Sequence, residues 1–319
     1  MKGLSKDSAS WHEVGEEGDS QRVDNYLIRL LKGVPKSHIY RILRSGEVRV
    51  NSGRVGPEHR LKAGDRLRVP PVRNAVRPAP AGPLEPVAPR LAAHILHEDE
   101  ALLALNKPAG MAVHGGSGVS LGVIEQLRLE RPAAPYLELV HRLDRETSGV
   151  LLIAKKRSSL TALHAQLRQG QAGKFYLVLA KGVWRDAKRS VALPLHKYVL
   201  RTGERRVRVE HEGQEARTIF RAKRAFPGFT LLEAELKTGR THQIRVHLAH
   251  LGFPIAGDDK YGDFELNKAL TRQGLKRMFL HACSMTVVHP TSGRPITFEA
   301  PLPEDLERFL HTLDHAKAV

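Results

Sequence analysis

Apolar residues near the start of the chain recur every three or four positions and predict two short helices. The first covers 22–31 and ends before Gly33, and the second begins after Pro35 and ends at Gly46. In each helix one face is apolar and the other is polar, as in helices that pack on a core. The apolar positions are Val23, Leu27, Leu30, Leu31, Ile39, Ile42 and Leu43.

Basic and apolar residues alternate in the next segment, a pattern typical of short strands with one basic face. Strands are predicted at 48–50, 54–55 and 66–69, with a turn at 51–53. The two helices and this small sheet together predict an N-terminal domain at 21–71.

Composition sets the other boundaries. Residues 1–20 are polar and predict a mobile tail. Residues 72–92 are crowded with proline and predict a semi-rigid linker. The second domain is therefore expected to cover 93–319.

The second domain contains the patterns of both strands and helices. Apolar runs predict an opening strand pair at 95–96 and 101–108 and a buried strand at 151–154. A further strand at 231–236 leads through a glycine turn into a predicted helix at 241–251.

The chain has 319 residues, 41% of them hydrophobic, and a single cysteine, Cys283. This length is enough for two domains, one of them with a sizeable core. One cysteine excludes internal disulfides and cysteine-cluster zinc sites. No stretch approaches the roughly 20 apolar residues that span a bilayer, and the first residues lack the apolar segment of a secretion signal. We therefore expect a cytoplasmic protein.

The formal net charge of +17 favours a polyanionic partner. Between residues 21 and 73 there are thirteen Lys or Arg against four Asp or Glu, the electrostatic footprint of phosphate binding. An anionic membrane would call for a basic amphipathic helix or a lipidation signal, and the sequence has neither. Nucleic acid is the leading candidate partner, with charge kept only for solubility as the alternative.

The segment 141–150 sets one carboxylate among cationic side chains. Asp144 lies between Arg142 and Arg145, and a Thr-Ser-Gly turn follows it before the strand at 151–154. Because neighbouring arginines keep a carboxylate ionised, Asp144 suits a nucleophile, a base or an electrostatic anchor better than a general acid. Glu146 is interpreted as a salt-bridge partner.

Two further segments of the second domain can meet an anionic substrate. Tyr176 begins or lies within a predicted strand, and its phenol can stack on a base, although an ordinary strand aromatic is the simpler interpretation. Free amide groups converge with Arg240 at the glycine turn before the helix at 241–251, which makes an anion site on physical grounds.

The sequence disfavours metal and nucleotide sites. Among His242, His247 and His250 only the last two have a helical ligand spacing, and no acidic ligand follows at a convincing offset. The acidic loop 258–263 could bind magnesium in a phosphodiesterase, but a polar turn is the preferred interpretation. The glycine-rich loop 114–118 lacks the Gly-Lys-Ser/Thr ending of a P-loop.

These residues carry two resemblances. The N-terminal domain resembles the S4 RNA-binding domain, through segments 22–27, 36–44 and 46–51. Nearly everything from Gln21 onward resembles the RluA-type pseudouridine synthases. The motifs that carry this second likeness are 141–144 followed by 147–149, 174–176 and 239–245.

The resemblance implies an α+β fold, with a catalytic domain around a mixed, mainly antiparallel, bent sheet and an active-site cleft between its halves. It implies an isomerase that converts specific uridines, at several sites of 23S (large-subunit) ribosomal RNA, without a cofactor or metal ion. The partner would be this RNA or its assembly intermediates, and the chain would act as a monomer.

The resemblance also assigns roles to residues. Asp144 is implied to be the catalytic residue, Tyr176 would stack on the extracted uracil, and Arg245 would pair with Asp144. The other implied substrate contacts are Arg142, Arg240 and His141. On the S4 domain the expected RNA contacts are Lys36, Arg41, Arg44, Arg49 and Arg54.

Other functional classes make different demands on the sequence. A non-catalytic ribosome-binding or assembly protein would not need Asp144, Tyr176 and Arg245 together. A magnesium nuclease would use the acids of 258–263. A paired-carboxylate glycosidase needs a second acid and delivers water to the sugar.

Overall fold

The computed structural model describes residues 9–31, 34–72, 90–115 and 121–315. The chain divides into two compact units, Met1–Pro89 and Arg90–Val319. Most of the predicted linker, 73–89, and part of the predicted glycine-rich loop, 116–118, lie outside the described residues.

The first unit is a helix pair packed on a four-stranded antiparallel sheet with the strand order β1-β4-β2-β3. Its elements are β1 (Ser10–Glu13), α1 (Val23–Leu30), α2 (Lys36–Arg44), β2 (Arg49–Val50), β3 (Gly53–Arg54) and β4 (Arg66–Val69). Of the seven apolar positions that the spacing singled out, six are buried, among them Leu27, Ile39 and Ile42, and Leu30 is partly buried.

Strand β1 differs from the sequence prediction, which placed residues 10–20 in a mobile tail. It pairs with β4 in register from Ser10 opposite Val69 to Glu13 opposite Arg66. Val14 follows directly and is 1% exposed in the core of this unit. The strand is hard to recognise from sequence because it is short and mostly polar and lies at the edge of the sheet.

The second unit is built on a ten-stranded sheet with helices on both faces. Its strands are β5 (Ile95–Glu98), β6 (Leu102–Lys107), β7 (Glu138–Leu139), β8 (Ser148–Ala154), β9 (Gly173–Lys181), β10 (Lys188–Ala192), β11 (Leu195–Val199), β12 (Arg205–Val209), β13 (Arg217–Phe226), β14 (Phe229–Leu236), β15 (Leu280–Val288) and β16 (Pro295–Glu299). Its helices are α3 (Val123–Glu130), α4 (Arg157–Arg168), α5 (Gln243–His250), α6 (Phe264–Arg272) and α7 (Glu304–His315).

The main path of the large sheet runs β10-β13-β14-β9-β15-β8-β6-β5. β15 and β8 pair in parallel, and the other neighbours along this path pair antiparallel. β11 and β12 form a separate hairpin. A mixed, mainly antiparallel sheet is what the family resemblance implied.

Strand β8 is buried along its whole length because the sheet is covered on both faces. Leu151 and Ile153 join a core that includes side chains of α3 and α5. Leu152 points the other way, into a core shared with α4. This explains why an unbroken apolar run, rather than an alternating pattern, marks the strand.

The start of β8 is fixed by a close backbone approach. Gly149 has φ +109°, and a Cβ at this position would lie 2.2 Å from the carbonyl oxygen of Ala282. Ala282 is its register partner on β15. A glycine is therefore required where the loop at 141–147 enters the sheet.

Candidate active site

A cavity of about 860 Å³ opens beside the loop that precedes β8. Its lining includes residues from all three sequence motifs, namely His141, Arg142, Asp144, Thr147, Lys174, Tyr176, Gly239, Arg240, His242, Gln243 and Arg245. Among the described residues that line it, Asp144 is the one carboxylate. Segments far apart in the sequence thus meet around a single acid.

Asp144 is held by Arg245 of α5. Arg245 Nη1 donates a hydrogen bond to Asp144 Oδ2 at 3.1 Å. The Asp144 side chain is 26% exposed, whereas that of Arg245 is 5% exposed. The carboxylate therefore faces the cavity while its cationic partner stays inside the protein.

Arg245 is in turn anchored by Asp258, which is itself buried. Arg245 Nε and Nη2 donate to the two carboxylate oxygens of Asp258 at 2.8 and 2.7 Å, and Nη2 also lies 3.2 Å from Asp259 Oδ1. Burial opposes the charge on Arg245, but the bonds and charges of Asp258 and Asp144 outweigh it and raise the pKa of Arg245. Arg245 is a permanent cation in a fixed orientation.

Asp258 remains ionised despite its burial. Its Oδ1 also accepts the backbone N–H groups of Lys260 and Tyr261 at 2.8 and 3.0 Å. Burial raises its pKa, but the hydrogen bond and charge of Arg245, together with these N–H groups, outweigh that effect and lower it. The sequence prediction of a polar turn at 258–263 missed this role.

Tyr176 lies within β9 and is 8% exposed. Burial, and secondly the charge of Asp144, raises the pKa of its phenol. The phenol is therefore neutral at physiological pH, and it lines the cavity together with Asp144. A neutral aromatic ring in this place can stack on a planar base.

His141 lines the cavity but is already engaged by the fold. Its Nε2 accepts a hydrogen bond from the backbone N–H of Leu152 on β8 at 3.1 Å. Burial, and secondly the charge of Lys174, lowers the pKa of His141 to about 4. This imidazole is neutral, and it ties the loop of Asp144 to the strand that follows.

Lys107 holds the same loop from its other side. Its buried Nζ donates to the carbonyl oxygens of Pro108, Met111 and Arg145 at 2.7, 2.8 and 3.0 Å. Burial lowers the pKa of Lys107 to about 7. Three carbonyl oxygens take up the three N–H groups of an ammonium, which offsets part of that burial. The backbone next to Asp144 is thus fixed by a residue that sequence reasoning missed.

Cationic side chains surround the rest of the cavity. Arg142 and Arg240 are exposed, and Arg240 Nε donates to the carbonyl oxygen of Glu215 at 3.0 Å. Three further cations line the cavity, namely Arg168, Lys174 and Lys237. Lys174 belongs to the motif at 174–176, but the sequence reasoning gave none of the three a role of its own. Lys237 contacts Glu235. Burial and the nearby charge of Lys237 lower the pKa of Lys174.

The turn before α5 differs from the predicted helix at 241–251. The helix begins two residues later, at Gln243, and His242 has φ 53°. Its Nδ1 lies 2.8 Å from the hydroxyl of Tyr261 and its Nε2 lies 3.8 Å from Asp144 Oδ2. Sequence reasoning placed His242 in the motif at 239–245 and weighed it as a zinc ligand, and it gave Tyr261 no role beyond its place in the polar turn.

The sequence does contain a signal for Asp258, which was missed. Arg245 stands between Ile244 and Val246 on a helix, and an arginine buried in such a stretch needs a buried counter-ion. Glu146, by contrast, was predicted correctly as a salt-bridge partner, since its Oε1 lies 3.5 Å from Arg145 Nε.

The first unit presents its five predicted RNA contacts as exposed side chains. They are Lys36, Arg41 and Arg44 on α2, Arg49 on β2 and Arg54 on β3. Arg49 is the register partner of both Arg54 and Arg68, so three guanidinium groups follow one another across β3, β2 and β4. Val50, the next residue, points to the opposite face and is buried.

Two features are absent from the described residues, a metal-ligand cluster and a membrane-spanning helix. These residues include no group of three or more His, Cys, Asp or Glu side chains arranged to hold a metal ion. Within the same residues no helix is long and apolar enough to cross a membrane.

Comparison with known proteins decides the family. Residues 101–250 match the sequence model of RNA pseudouridylate synthase, and residues 21–67 match that of the S4 domain. Ribosomal large subunit pseudouridine synthase C of Escherichia coli (strain K12) is 54% identical over 301 residues, which cover 93% of this chain and 94% of that protein. The chain belongs to the RNA pseudouridylate synthase family.

Further relatives agree with this membership. The pseudouridine synthase C of Pasteurella multocida (strain Pm70) is 51% identical over 306 residues, which cover 96% of this chain and 94% of that protein. The solved structure of human RNA pseudouridylate synthase domain containing 4 superposes with a TM-score of 0.58 at 27% identity, covering 70% of this chain and 94% of that one. The family and the fold that the motifs implied are confirmed, and the chain is a pseudouridine synthase with an S4 domain.

Proposed function

We propose that this pseudouridine synthase isomerises uridines of large-subunit ribosomal RNA and that Asp144 is its catalytic carboxylate. The observation that carries the assignment is the pairing of Asp144 with a buried, doubly anchored arginine at the wall of the cavity. The RNA class is suggested by the names of the relatives from Escherichia coli and Pasteurella multocida.

The chemistry needs few groups. The bond from uracil N1 to the ribose breaks, the base turns, and a new bond joins its C5 to the ribose, so no water or redox partner is consumed. A carboxylate at this place can attack the sugar or the base, or remove a ribose proton. Arg245 keeps Asp144 ionised and aimed, and Tyr176 stacks on the uracil and can assist the later loss of the C5 proton.

The cations around the cavity suit the phosphates of a flipped nucleotide. Removing a base from its stack costs a few kcal/mol, which stacking and backbone contacts must offset. Arg142, Arg240 and Lys174 would contribute these contacts, since each lines the cavity. His141 supports the loop of Asp144 rather than touching the base, because its Nε2 already accepts from β8.

The first unit would supply the wider grip on RNA. Its exposed basic side chains on α2, β2 and β3 can contact the phosphates of a folded RNA without reading bases. The target would be 23S ribosomal RNA or its assembly intermediates, at several uridines chosen by RNA shape and loop contacts.

Ribosomal RNA tritiated at uracil C5 tests this function directly. The wild-type protein is expected to release tritium in chelator-containing buffer, and Asp144→Asn is expected to release none. Glu146→Gln is the matched control, because it removes a neighbouring carboxylate outside the cavity lining, and it should stay active. Activity in Asp144→Asn, or shortened RNA instead of tritium release, would refute the proposal.

A further inference from the structure

We propose that His242 is a positioning residue for Asp144, held by Tyr261 as the neutral imidazole that carries its proton on Nε2. The inference rests on the proposed role of Asp144 and extends it to a second donor. In this arrangement Arg245 and His242 both lie next to Oδ2 of the carboxylate. Among the described residues no side chain bonds to Oδ1, which is the oxygen left to react.

The hydroxyl of Tyr261 determines the tautomer. It accepts the backbone N–H of Val207 on β12 at 2.9 Å and lies 2.8 Å from His242 Nδ1. Within the part of the chain that the structure describes, Nδ1 is the one acceptor in reach of the hydroxyl proton. The hydroxyl therefore donates to Nδ1, and the imidazole proton stays on Nε2.

The geometry then directs this proton towards Asp144. His242 Nε2 lies 3.8 Å from Asp144 Oδ2, the same oxygen that accepts from Arg245 Nη1 at 3.1 Å. The longer distance exceeds a direct hydrogen bond. Contacts of this kind are often long in a free enzyme and shorten when substrate closes the site. We expect the bond to form when RNA fills the cavity.

Backbone and packing fix the ring in place. His242 occupies the left-handed region with φ 53°, which residues other than glycine adopt rarely. Its ring meets that of Tyr261 edge to face with centroids 5.5 Å apart. The Tyr261 ring also lies over the guanidinium of Arg245, 5.2 Å from its centroid. A strained backbone conformation of this kind persists only where neighbouring groups hold it, and residues in such conformations are common at active sites.

The charged groups around His242 shift the pKa of its imidazole in opposite directions. Asp144, from the loop before β8, favours the imidazolium, and so does Asp258; Arg245 on α5 and Lys260 in the loop after α5 oppose it. Burial is the largest effect and lowers the pKa of His242. The ring is therefore neutral at neutral pH, in agreement with the tautomer that the hydroxyl of Tyr261 selects.

The tautomer can be measured without reference to activity. Long-range proton–nitrogen correlation spectra of the full-length protein, assigned with His242→Asn, report which ring nitrogen is protonated. We expect a proton on Nε2 and none on Nδ1 at pH 7. A proton on Nδ1, or an imidazolium, at that pH would overturn the proposal whatever role Asp144 has.

Two substitutions separate the donor from the fold. His242→Asn tolerates the left-handed backbone but loses the Nε2 donor, so kcat should fall about tenfold or more with little change in KM. His242→Gln places an amide N–H near the position of Nε2 and should recover most of the missing kcat. Equal kcat in wild type and His242→Asn would refute the positioning role, while an inactive Asp144→Asn would leave the proposed function standing.

Tyr261→Phe tests the link between the two residues. Without the hydroxyl, Nδ1 loses the donor that favours its neutral form, so the pKa of His242 should rise. The His242 titration followed by NMR should move to higher pH, and kcat at neutral pH should fall because the hydroxyl no longer selects the tautomer with its proton on Nε2. An unchanged titration and an unchanged kcat in a folded Tyr261→Phe protein would contradict the proposal.

Discussion

Arg245 Nη1 reaches Asp144 Oδ2 at 3.1 Å although the two residues are 101 positions apart. The same guanidinium holds both oxygens of Asp258. One buried cation therefore connects the loop before β8 with the loop after α5. A change that weakens the contacts of Arg245 should therefore both destabilise the protein and alter the orientation of the Asp144 carboxylate.

Asp258→Asn should destabilise the protein because it leaves the buried Arg245 with less compensating charge. We expect the free energy of unfolding to fall by about 3 kcal/mol, measured in urea. Asp259→Asn is the control, since Asp259 is 69% exposed and makes one longer contact; its effect should stay below about 1 kcal/mol. Equal effects of the two variants would contradict the anchoring role of Asp258.

His141 should make stability depend on pH. Its pKa is about 4 in the folded protein and near 6.5 ordinarily, so between these values the unfolded chain binds the extra proton. The stability that the neutral ring of His141 contributes to the folded protein is therefore fully present above pH 6.5 and is lost as the pH falls towards 4. His141→Gln keeps an acceptor for Leu152 without titrating. The wild type should lose about 1–3 kcal/mol relative to this variant between pH 7 and 4, and parallel curves would refute the burial of a neutral His141.

Gly149→Ala should disrupt the junction of β8 and β15. The new Cβ would lie 2.2 Å from the Ala282 carbonyl oxygen and 2.7 Å from its carbon, and φ is +109°. We expect the free energy of unfolding to fall by more than about 3 kcal/mol and the Asp144 loop to be displaced. The measurements are the melting temperature, which should fall, and the activity, which should be lost. Gly170→Ala, with φ +69° and nothing within 4 Å of the new Cβ, shares only the backbone strain. Comparable melting temperatures for the two variants would show that the close approach is unimportant.

Lys107→Met should loosen the Asp144 loop. The substitution leaves the carbonyl oxygens of Pro108, Met111 and Arg145 without their common donor, and unsatisfied buried acceptors cost about 1–3 kcal/mol each in the limit. We expect a clear fall in unfolding free energy and faster amide exchange at 144–147. Lys156→Met removes an exposed lysine that pairs with Glu100 and should change little. Unchanged exchange in the loop of Lys107→Met would contradict the anchoring.

Three neutralised cations on α2 should flatten the salt dependence of RNA binding. The variant Lys36→Gln, Arg41→Gln, Arg44→Gln should reduce the slope of log affinity against log salt by about 0.7–0.9 for each RNA phosphate that the protein no longer neutralises. The control, Lys268→Gln, Arg272→Gln, Lys276→Gln, removes the same charge from exposed positions in and after α6. A control slope reduced as much as that of the α2 variant would argue against a specific RNA surface on α2.

Local patterns predicted much of the fold. The spacing of Leu27, Ile39 and Ile42 located the two helices of the first unit, and the apolar run at 151–154 located β8, because burial of a face or a whole strand leaves a periodic trace in sequence. Strand β1 left no such trace, since its residues are mostly polar and its pairing with β4 is a long-range contact.

The candidate site divides in the same way. The motifs identified Asp144, Tyr176 and Arg245, which the fold brings to one cavity. Asp258 and Lys107 were missed because their roles depend on burial and on partners distant in sequence, which a single amino-acid sequence does not reveal. His242 was missed because its backbone conformation and its bond to Tyr261 exist only in the folded turn.

The parallel pairing of β8 with β15 also affects the order in which the two units can fold during synthesis. Ser148 Oγ, at the end of the Asp144 loop, bonds to His281, 133 residues later, and the first unit closes its own sheet within residues 10–69. During synthesis from the N-terminus, the first unit can fold while β15 has yet to leave the ribosome. The first unit can therefore be complete while the Asp144 loop rests on β6 alone and still lacks its contact with β15.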